Sequence, residues 1–231
     1  MTLEGNSKLA LGFSASAMFR TARLGWGILY RHSIKNEFKE GEADFTIFDN
    51  LTVPNAGALA RTLLQDQKAN TAIEFPNLIA TGIHYKFTDQ LALEADYIWF
   101  NWSVFNEIAL DFANDRLDQT MLEEYDDSWQ GRLGLHYQLN DALALRAGYI
   151  YDKTPQPIQA VSPLLPDDTR HNFSLGAGYT FGKYQIDAGY MLVLLGKRTT
   201  LENGVGRNYH GFDGTYNSRA DLLFASFGYT F

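Results

Sequence analysis

The chain has 231 residues, which is enough for one or two domains or for one large all-β domain. Its 19 Lys and Arg residues against 27 Asp and Glu residues give a formal net charge of -8, which argues against a nucleic-acid partner because phosphate binding needs a basic surface. The absence of cysteine excludes a disulfide framework and thiolate metal sites. Aromatic residues are abundant, at 14% of the chain.

The amino-terminal segment does not look like a targeting sequence. Residues 1–7 are polar and acidic, whereas a signal peptide has a basic start followed by an apolar stretch. The chain also lacks a run of about 18 apolar residues, so no transmembrane helix is predicted. Because the strand pattern described next is that of an exported protein, we expect that an amino-terminal part with the signal peptide is missing.

Alternation with period two dominates the chain and predicts nine β-strands. In chain order the strands are predicted at about 8–20, 22–38, 72–87, 90–104, 127–138, 142–152, 170–182, 184–196 and 219–231. Tight turns around Thr21, 87–90, 138–141 and 182–184 alternate with long loops at 39–71, 105–126, 153–169 and 197–218. This strict sorting of loop lengths is typical of an outer-membrane barrel with short periplasmic turns and long extracellular loops.

The two faces of the predicted strands differ sharply in charge. One face carries rows such as Leu133, Leu135 and Tyr137 without any charged residue, except at Arg219 and Asp221 of the last strand. The other face carries Arg23, Arg31, His84, Lys86, Glu94, Asp96, Arg132, Arg146 and Asp187. A charged side chain facing lipid costs roughly 2–4 kcal/mol at the midplane, so the charge-free face is predicted to face the bilayer. The alternative is a large soluble barrel or sandwich whose apolar faces point inward.

The inward-facing residues are predicted to change in character along the barrel axis. Toward the extracellular ends they are apolar: Ile98, Phe100, Trp102, Ile150, Val193, Leu195, Leu222 and Phe224. Toward the periplasmic ends they are charged: Arg23, Lys86, Glu94, Arg146 and Asp187. The apolar upper lumen suits an apolar ligand, and Arg146 suits a carboxylate head group. The alternatives are packing against a plug for the apolar residues and a structural ion-pair network for the charged ones.

Two of the long loops contain further signals. In 39–71, Pro54 and Asn55 precede the segment AGALARTLLQDQ, whose apolar stripe predicts a helix that carries Leu59, Leu63 and Leu64. The acidic segment 106–127 is compatible with a helix, but a solvated loop is favoured, and it shows no calcium-loop spacing. The histidines are scattered, and no nucleophile elbow or zinc motif occurs, so no catalytic residue, metal site or cofactor is predicted.

Several segments resemble the FadL/TodX family. These are 75–108, 128–157 with its Pro-x-Pro, 165–190 with its Leu-Pro-Asp-x-x-Arg, and the final FASFGYTF. The resemblance implies import of long-chain fatty acids or aromatic hydrocarbons across the outer membrane, with helices of the extracellular loops forming the first groove that captures substrate. A lid packed on its neighbours is the alternative role for the loop helix. The terminal aromatic strand that ends in Phe231 resembles the signal read by the barrel-assembly machinery.

The resemblance also sets expectations about the missing part. The family barrel has fourteen strands and an amino-terminal plug, whereas this chain provides about nine strands. We therefore expect residues 1–231 to form a single domain, the carboxy-terminal part of an all-β, transmembrane antiparallel barrel of the outer-membrane type. The plug, the signal peptide and five strands are expected to be absent, which leaves autonomous function open.

The predicted function is an outer-membrane channel for passive uptake of hydrophobic compounds. The alternatives are a general porin and a barrel-embedded hydrolase. The expected partners are a hydrophobic small molecule, outer-membrane lipid and lipopolysaccharide, and the barrel-assembly machinery, and the chain is expected to be a monomer. The predicted substrate-binding residues are Ile98, Phe100, Trp102, Val193, Leu195, Phe224, Arg146, Leu59, Leu63 and Leu64.

Overall fold

The computed structural model describes residues 1–47, 56–164 and 166–231, and the side chains of Ala56 and Leu59 lie outside this description. Its strands are β1 Thr2–Glu4, β2 Ser14–Arg20, β3 Leu24–Arg31, β4 Ile34–Asp44, β5 Gln67–Phe75, β6 Leu78–Lys86, β7 Leu91–Phe100, β8 Glu107–Phe112, β9 Gln119–Leu122, β10 Ser128–Gln138, β11 Leu143–Asp152, β12 Arg170–Phe181, β13 Tyr184–Thr199, β14 Leu201–Glu202, β15 Val205–Gly206 and β16 Thr215–Tyr229. One α-helix, α1, spans Ala56–Leu63, and short 3₁₀ turns occupy Trp102–Val104, Asp115–Leu117 and Ile158–Ala160. In the part of the chain described, no helix is long and apolar enough to cross a membrane.

Nine of the strands form one antiparallel sheet in the order β16-β13-β12-β11-β10-β7-β6-β3-β2. Within this barrel sheet each strand pairs with its predecessor and successor in the chain, as the nine predicted segments required. Side chains close the tight turns: Asn140 Oδ1 accepts from the backbone N–H groups of Ala142 and Leu143, each at 3.0 Å. Gly182, with φ of 60°, provides the left-handed residue in the β12–β13 turn. The predicted meander is thus confirmed.

Two of the predicted strands are divided, which corrects their boundaries. The segment predicted at 22–38 breaks after Arg31, and the segment at 72–87 breaks at Pro76 and Asn77. Proline has no backbone N–H to donate to a ladder, so β5 and β6 cannot form one continuous strand. Beyond the breaks, β4 and β5 leave the barrel sheet and pair with each other outside it.

These outer strands belong to a second sheet, in the order β1-β4-β5-β8-β9. Parts of β4 and β5 and the whole of β8 and β9 lie where the loops 39–71 and 105–126 were predicted. The segment 106–127 is neither the helix considered nor the solvated loop favoured, because it contributes β8 and β9. The reason is packing between distant segments: Leu110 and Phe112 share one face of β8 and are buried against Ala43 of β4 and Ala69 of β5. The many acidic residues of the segment made the short apolar alternation of Leu110 and Phe112 difficult to recognise in the sequence.

The register aligns the two predicted faces across the whole barrel sheet. For example, Leu133 of β10 lies opposite Ala95 of β7 and Tyr149 of β11, and all three belong to the uncharged rows. We call this the apolar face, and we call the opposite one, with Arg132 and Arg146, the polar face. Large side chains of the apolar face are exposed, as Leu133 is at 60% of its surface, which is the situation expected of a surface in contact with lipid.

Aromatic side chains form two belts on the apolar face. Near the ends that carry the long loops, the Trp129 ring lies 5.8 Å from Tyr97 and 4.9 Å from Tyr151, measured between centroids. Near the tight turns, Phe181 lies 5.4 Å from Tyr184. On β12, His171, which lies opposite Tyr151 of the loop-side belt, and Phe181 are ten residues apart, which corresponds to about 33 Å along the strand. For a tilted strand this fits an apolar band about 25 Å tall between two interfacial girdles.

A charge placed on the apolar face should therefore impair membrane assembly. Leu133→Arg, near the middle of β10, is expected to cost roughly 2–4 kcal/mol in the bilayer and to reduce the heat-modifiable, folded species on gels. His136→Arg places the same side chain on the polar face of the same strand and is the matched control, expected to assemble normally. Equal loss of folded protein in both variants would contradict the assignment of the faces.

Candidate functional site

The polar face of the barrel sheet carries two separate apolar areas toward its loop ends. The first, the β7 patch, surrounds Phe100, which lies opposite Leu78, and Ile98, which lies opposite Ala80. Leu29 of β3 extends this patch by pairing with Ala80. Sequence reasoning selected Ile98 and Phe100 but missed Leu29 and Leu78, although both have the inward parity of their strands.

The second apolar area follows β13 and β16 and is called the β13 track. It comprises Met191, Val193 and Leu195 of β13 together with Leu222 and Phe224 of β16, and Leu222 lies opposite Met191. At its lower end Phe224 covers Gly189, because a β-carbon at that glycine would lie 3.9 Å from Phe224 Cδ2. From Leu195 down to Gly189 the track runs six residues, about 20 Å along the strand.

A polar strip on β10, β11 and β12 separates the β7 patch from the β13 track. In this strip Arg170 Nη2 lies 2.8 Å from Asp152 Oδ2, and Arg132 Nε donates to Gln130 Oε1. The predicted lumen residue Ile150 lies within the strip, opposite Arg132. The upper part of the polar face is therefore mixed, whereas the sequence predicted a uniformly apolar one. The patch and the track are four strand spacings apart, roughly 19 Å along the sheet.

Arg146 lies at the lower end of the β13 track. It belongs to the same cross-strand row as Gly176, Gly189 and Phe224. Its guanidinium crosses Gly178, at which a β-carbon would come within 3.1 Å of Nη1, and Nη1 donates to Asp187 Oδ1 at 2.8 Å. Glycines at these positions thus let one arginine from β11 reach β13 directly below the track.

The ion pair with Asp187 does not occupy all the N–H donors of the Arg146 guanidinium. Asp187 also accepts from Gln185 Nε2 at 2.8 Å, so this carboxylate is held from two sides. The Arg146 side chain keeps 42% of its surface exposed, which leaves guanidinium N–H groups open toward the polar face. The pairing agrees with the structural alternative raised from the sequence, and it is also compatible with a second, incoming carboxylate, because a guanidinium carries five N–H donors.

Trp102 does not lie on the polar face of the barrel sheet, which corrects the prediction. β7 ends at Phe100, and Asn101, with ψ of 63°, departs from extended geometry and starts the 3₁₀ turn that contains Trp102. The Trp102 ring packs 5.9 Å from the Tyr125 ring, which in turn lies 4.9 Å from Phe105, measured between centroids. Trp102 is therefore part of the loop region beyond the sheet.

Three long loops are joined there into one cap. Gln156, only 4% exposed, donates from Nε2 to Tyr125 OH at 3.2 Å and to Ala160 O at 3.1 Å. Arg198 donates to the carbonyls of Gln156 and Asp167, and Tyr209 N donates to Gln159 O at 2.8 Å. The cap thus fixes the 105–126, 153–169 and 200–214 loops against each other. No sequence pattern indicated these contacts.

Burial within the cap raises the pKa values of Tyr125 and Glu123. Desolvation raises the pKa of Tyr125 to about 12, and the negative charge of Glu123 acts in the same direction. Tyr125 therefore stays protonated and keeps its hydroxyl available as the acceptor of the Gln156 amide. Burial also raises the pKa of Glu123, opposed by nearby His210.

The loop helix α1 confirms the helix predicted in 39–71, although Pro54 and Asn55, expected to start it, lie outside the described residues. Leu63 and Leu64 at its end are half-buried, and neither belongs to the buried cluster of the second sheet. Leu59 lies within the helix, with its side chain outside the described part. The described residues contain no group of three or more His, Asp or Glu side chains placed to hold a metal ion.

Comparison with known proteins gives consistent results. The family model for outer membrane protein transport proteins (OMPP1/FadL/TodX) matches residues 1–231. The 47 kDa outer membrane protein of Pasteurella multocida is 33% identical over 205 residues, covering 88% of this chain and 47% of the relative. A long-chain fatty acid transport protein of Escherichia coli O6:H1 is 26% identical over 214 residues, covering 89% and 46%. The chain thus spans about half the length of these relatives.

Solved structures agree with this result. The crystal structure of a Pseudomonas aeruginosa FadL homologue superposes with a TM-score of 0.76 at 26% identity, covering 94% of this chain and 52% of that one. The toluene transporter TodX of P. putida, at 18% identity, covers 96% and 50% with a TM-score of 0.60 and shows the same fold. The predicted resemblance, barrel fold and outer-membrane location are confirmed, and the family consists of transport proteins rather than enzymes. The chain belongs to the OMPP1/FadL/TodX family of outer membrane transport proteins.

Proposed function

We propose that this protein takes part in the passive uptake of hydrophobic compounds across the outer membrane, with long-chain fatty acids as the favoured class. Relatives are named as long-chain fatty acid transport proteins, and a structural neighbour is named as a toluene transporter. Because the chain spans about half of its relatives, the proposal rests mainly on its own polar face.

The observation that carries the proposal is the β13 track with Arg146 at its lower end. An apolar strip of about 20 Å is comparable in length with an extended long-chain fatty acid. Val193, Leu195 and Phe224 offer apolar contacts for the chain, and the Arg146 guanidinium offers charge-assisted hydrogen bonds for the carboxylate. A substrate in this orientation has its tail toward the loops and its head group toward the tight turns.

We propose roles for the remaining predicted residues from their positions in the structure. The β7 patch with Ile98 and Phe100 is proposed to contact an uncharged hydrocarbon, because apolar side chains form most of it, with Arg31 at its edge opposite Leu78. Leu59 and Leu63 of α1 and the following Leu64 are proposed to collect substrate on the loop side. Trp102, now placed in the cap, is proposed to contact substrate at the entrance instead of inside the barrel.

The exposed aromatic strand end is proposed to serve assembly. Phe227, Tyr229 and Phe231 alternate along one face, and the Phe231 ring packs edge-on 5.2 Å from the Tyr229 ring, measured between centroids. The apolar part of such a strand offers a binding edge and side chains to the barrel-assembly machinery.

A general porin is the second candidate, and the polar strip is the observation that favours it. The charged residues Asp152 and Arg170 attract water to the middle of the wall, and a wet wall favours polar solutes. Liposome swelling distinguishes the two functions: the hydrophobic channel should admit sugars slowly, whereas rapid sugar flux would identify a porin.

Phe224→Asp should impair fatty-acid uptake strongly. A buried Phe contact contributes roughly 1.5–3 kcal/mol, so uptake is expected to fall about tenfold or more in cells that depend on it. Phe224→Leu keeps the track apolar and should retain most of the activity. A normal rate of fatty-acid uptake in Phe224→Asp would show that the β13 track does not bind the substrate during uptake.

Phe100→Asp adds the same charge to the β7 patch and should reduce uptake of an aromatic hydrocarbon more than that of a fatty acid.

Arg146→Ala should separate the two substrate classes. It removes the carboxylate partner at the end of the track, so fatty-acid uptake should weaken, whereas uptake of an uncharged aromatic hydrocarbon should hardly change. Asp187→Asn is the matched control, because it breaks the same ion pair while keeping the guanidinium, and it should leave fatty-acid uptake intact. If both variants lost uptake of both substrates to the same extent, Arg146 would have a structural role only.

A further inference from the structure

A β-bulge in β13 brings a lysine to the apolar face. Leu194 pairs with Arg219 of β16, but the next paired residue is Lys197, opposite Asn217, so β13 contains one extra residue between the two pairs. Without the bulge Gly196 would share the face of Leu194. With it, Lys197 shares the face of Asn217 and Arg219, and Arg198 turns to the opposite side, where it holds the cap.

Arg219 and Asp221 are the two charges that the sequence left unexplained on the apolar face. Arg219 donates to both carboxylate oxygens of Asp221, from Nε to Oδ2 at 2.9 Å and from Nη2 to Oδ1 at 2.8 Å. The Tyr190 hydroxyl also donates to Asp221. Asp221 thus fixes the guanidinium in one orientation, and 61% of the Arg219 side chain remains exposed.

The depth of Arg219 in the bilayer follows from its position in the barrel sheet. Leu194, the partner of Arg219, lies opposite His171, and His171 lies opposite Tyr151. Tyr151 belongs to the aromatic belt at the loop ends, with Trp129 beside it. Ten residues separate Arg219 from Tyr229, which packs on Tyr184 in the belt at the tight turns, and this corresponds to about 33 Å along β16. On a strand tilted by about 40°, Arg219 therefore lies near the loop-side boundary of an apolar band about 25 Å tall. Lys197 lies just beyond it, where the head groups of the outer leaflet are found.

The charges at this position do not cancel. Two cations face one carboxylate, although the whole chain has a formal net charge of -8. Within the described residues Lys197 has no ion-pair partner. Diagonal neighbours on adjacent strands have separations of roughly 7–8 Å, a spacing that one phosphate group can bridge. Charges near the interface cost only about 0–1 kcal/mol, so the cluster is tolerated there and available to an anion.

We propose that Lys197 and Arg219 bind a phosphate of a phosphorylated glycolipid, the lipid A part of lipopolysaccharide, on the outer surface of the barrel. Arg219 supplies a preoriented pair of N–H donors, and Lys197 supplies a mobile point charge beside it. The acyl chains of the lipid lie along the apolar face below, next to Tyr190 and Leu192. This site is separate from the polar face and does not depend on the proposed transport function.

The test compares lipid binding by variants of the protein purified from outer membranes in mild detergent. Native mass spectrometry with added lipid A should show a bound lipid on the parent protein. Lys197→Gln combined with Arg219→Gln should reduce the bound fraction about tenfold or more, because charge-assisted hydrogen bonds are lost. Lys197→Arg keeps the charge and should retain binding. Heat-modifiable migration verifies that each variant is folded.

Two further arms identify the ligand and the place. Lys183→Gln removes a cation at the opposite end of the same strand pair, where Lys183 lies 5.8 Å from the centre of the Tyr229 ring, and should leave lipid A bound. Dephosphorylated lipid A should bind poorly, and inorganic phosphate alone should not compete at equal concentration. Equal loss in the Lys183 variant, undiminished binding of dephosphorylated lipid A, or full binding by the folded double variant would each overturn the proposal.

Discussion

The hydrogen-bond ladder of the barrel sheet is the constraint on which the other features depend. In a bilayer every backbone N–H and C=O must find a partner inside the protein, and the nine antiparallel strands supply these partners for one another between the two edge strands, β16 and β2. Once the ladder is fixed, side chains alternate between two surfaces with opposite requirements. Leu133 and Arg132, neighbours in sequence, consequently have opposite environments, and the polar face becomes free to carry a site.

The ladder is interrupted at two places, and each interruption has a structural consequence outside the barrel sheet. At Pro76 it releases β5 toward the second sheet, whose core of Leu110 and Phe112 supports the loop side. At the bulge after Leu194 it exchanges the faces of two basic residues. Arg198 then binds the carbonyls of the cap, and Lys197 faces the surrounding lipid. One extra residue thus places a basic side chain on each side of the barrel wall.

The polar face shows how a wall can combine apolar and charged functions. Glycines at 176, 178 and 189 leave room in which Arg146 and Phe224 extend over the sheet from different strands. The result is an apolar track with a cation below it, beside a strip of ion pairs. A uniformly apolar wall would bind a fatty acid chain but would not orient its carboxylate, and a uniformly charged wall would not bind the chain.

The sequence by itself determined the nine strands, their two faces, the alternation of turns and loops and the helix α1, because each depends on periodicity within a short segment. It also identified Ile98, Phe100, Val193, Leu195, Phe224 and Arg146 as polar-face residues by parity alone. Only the tertiary structure decided that Trp102 belongs to the cap, that β8 and β9 join a second sheet, and that Arg146 meets Asp187. These outcomes depend on register between strands distant in the chain, where one bulge or one proline changes which side chains meet, and local alternation carries no information about such pairings.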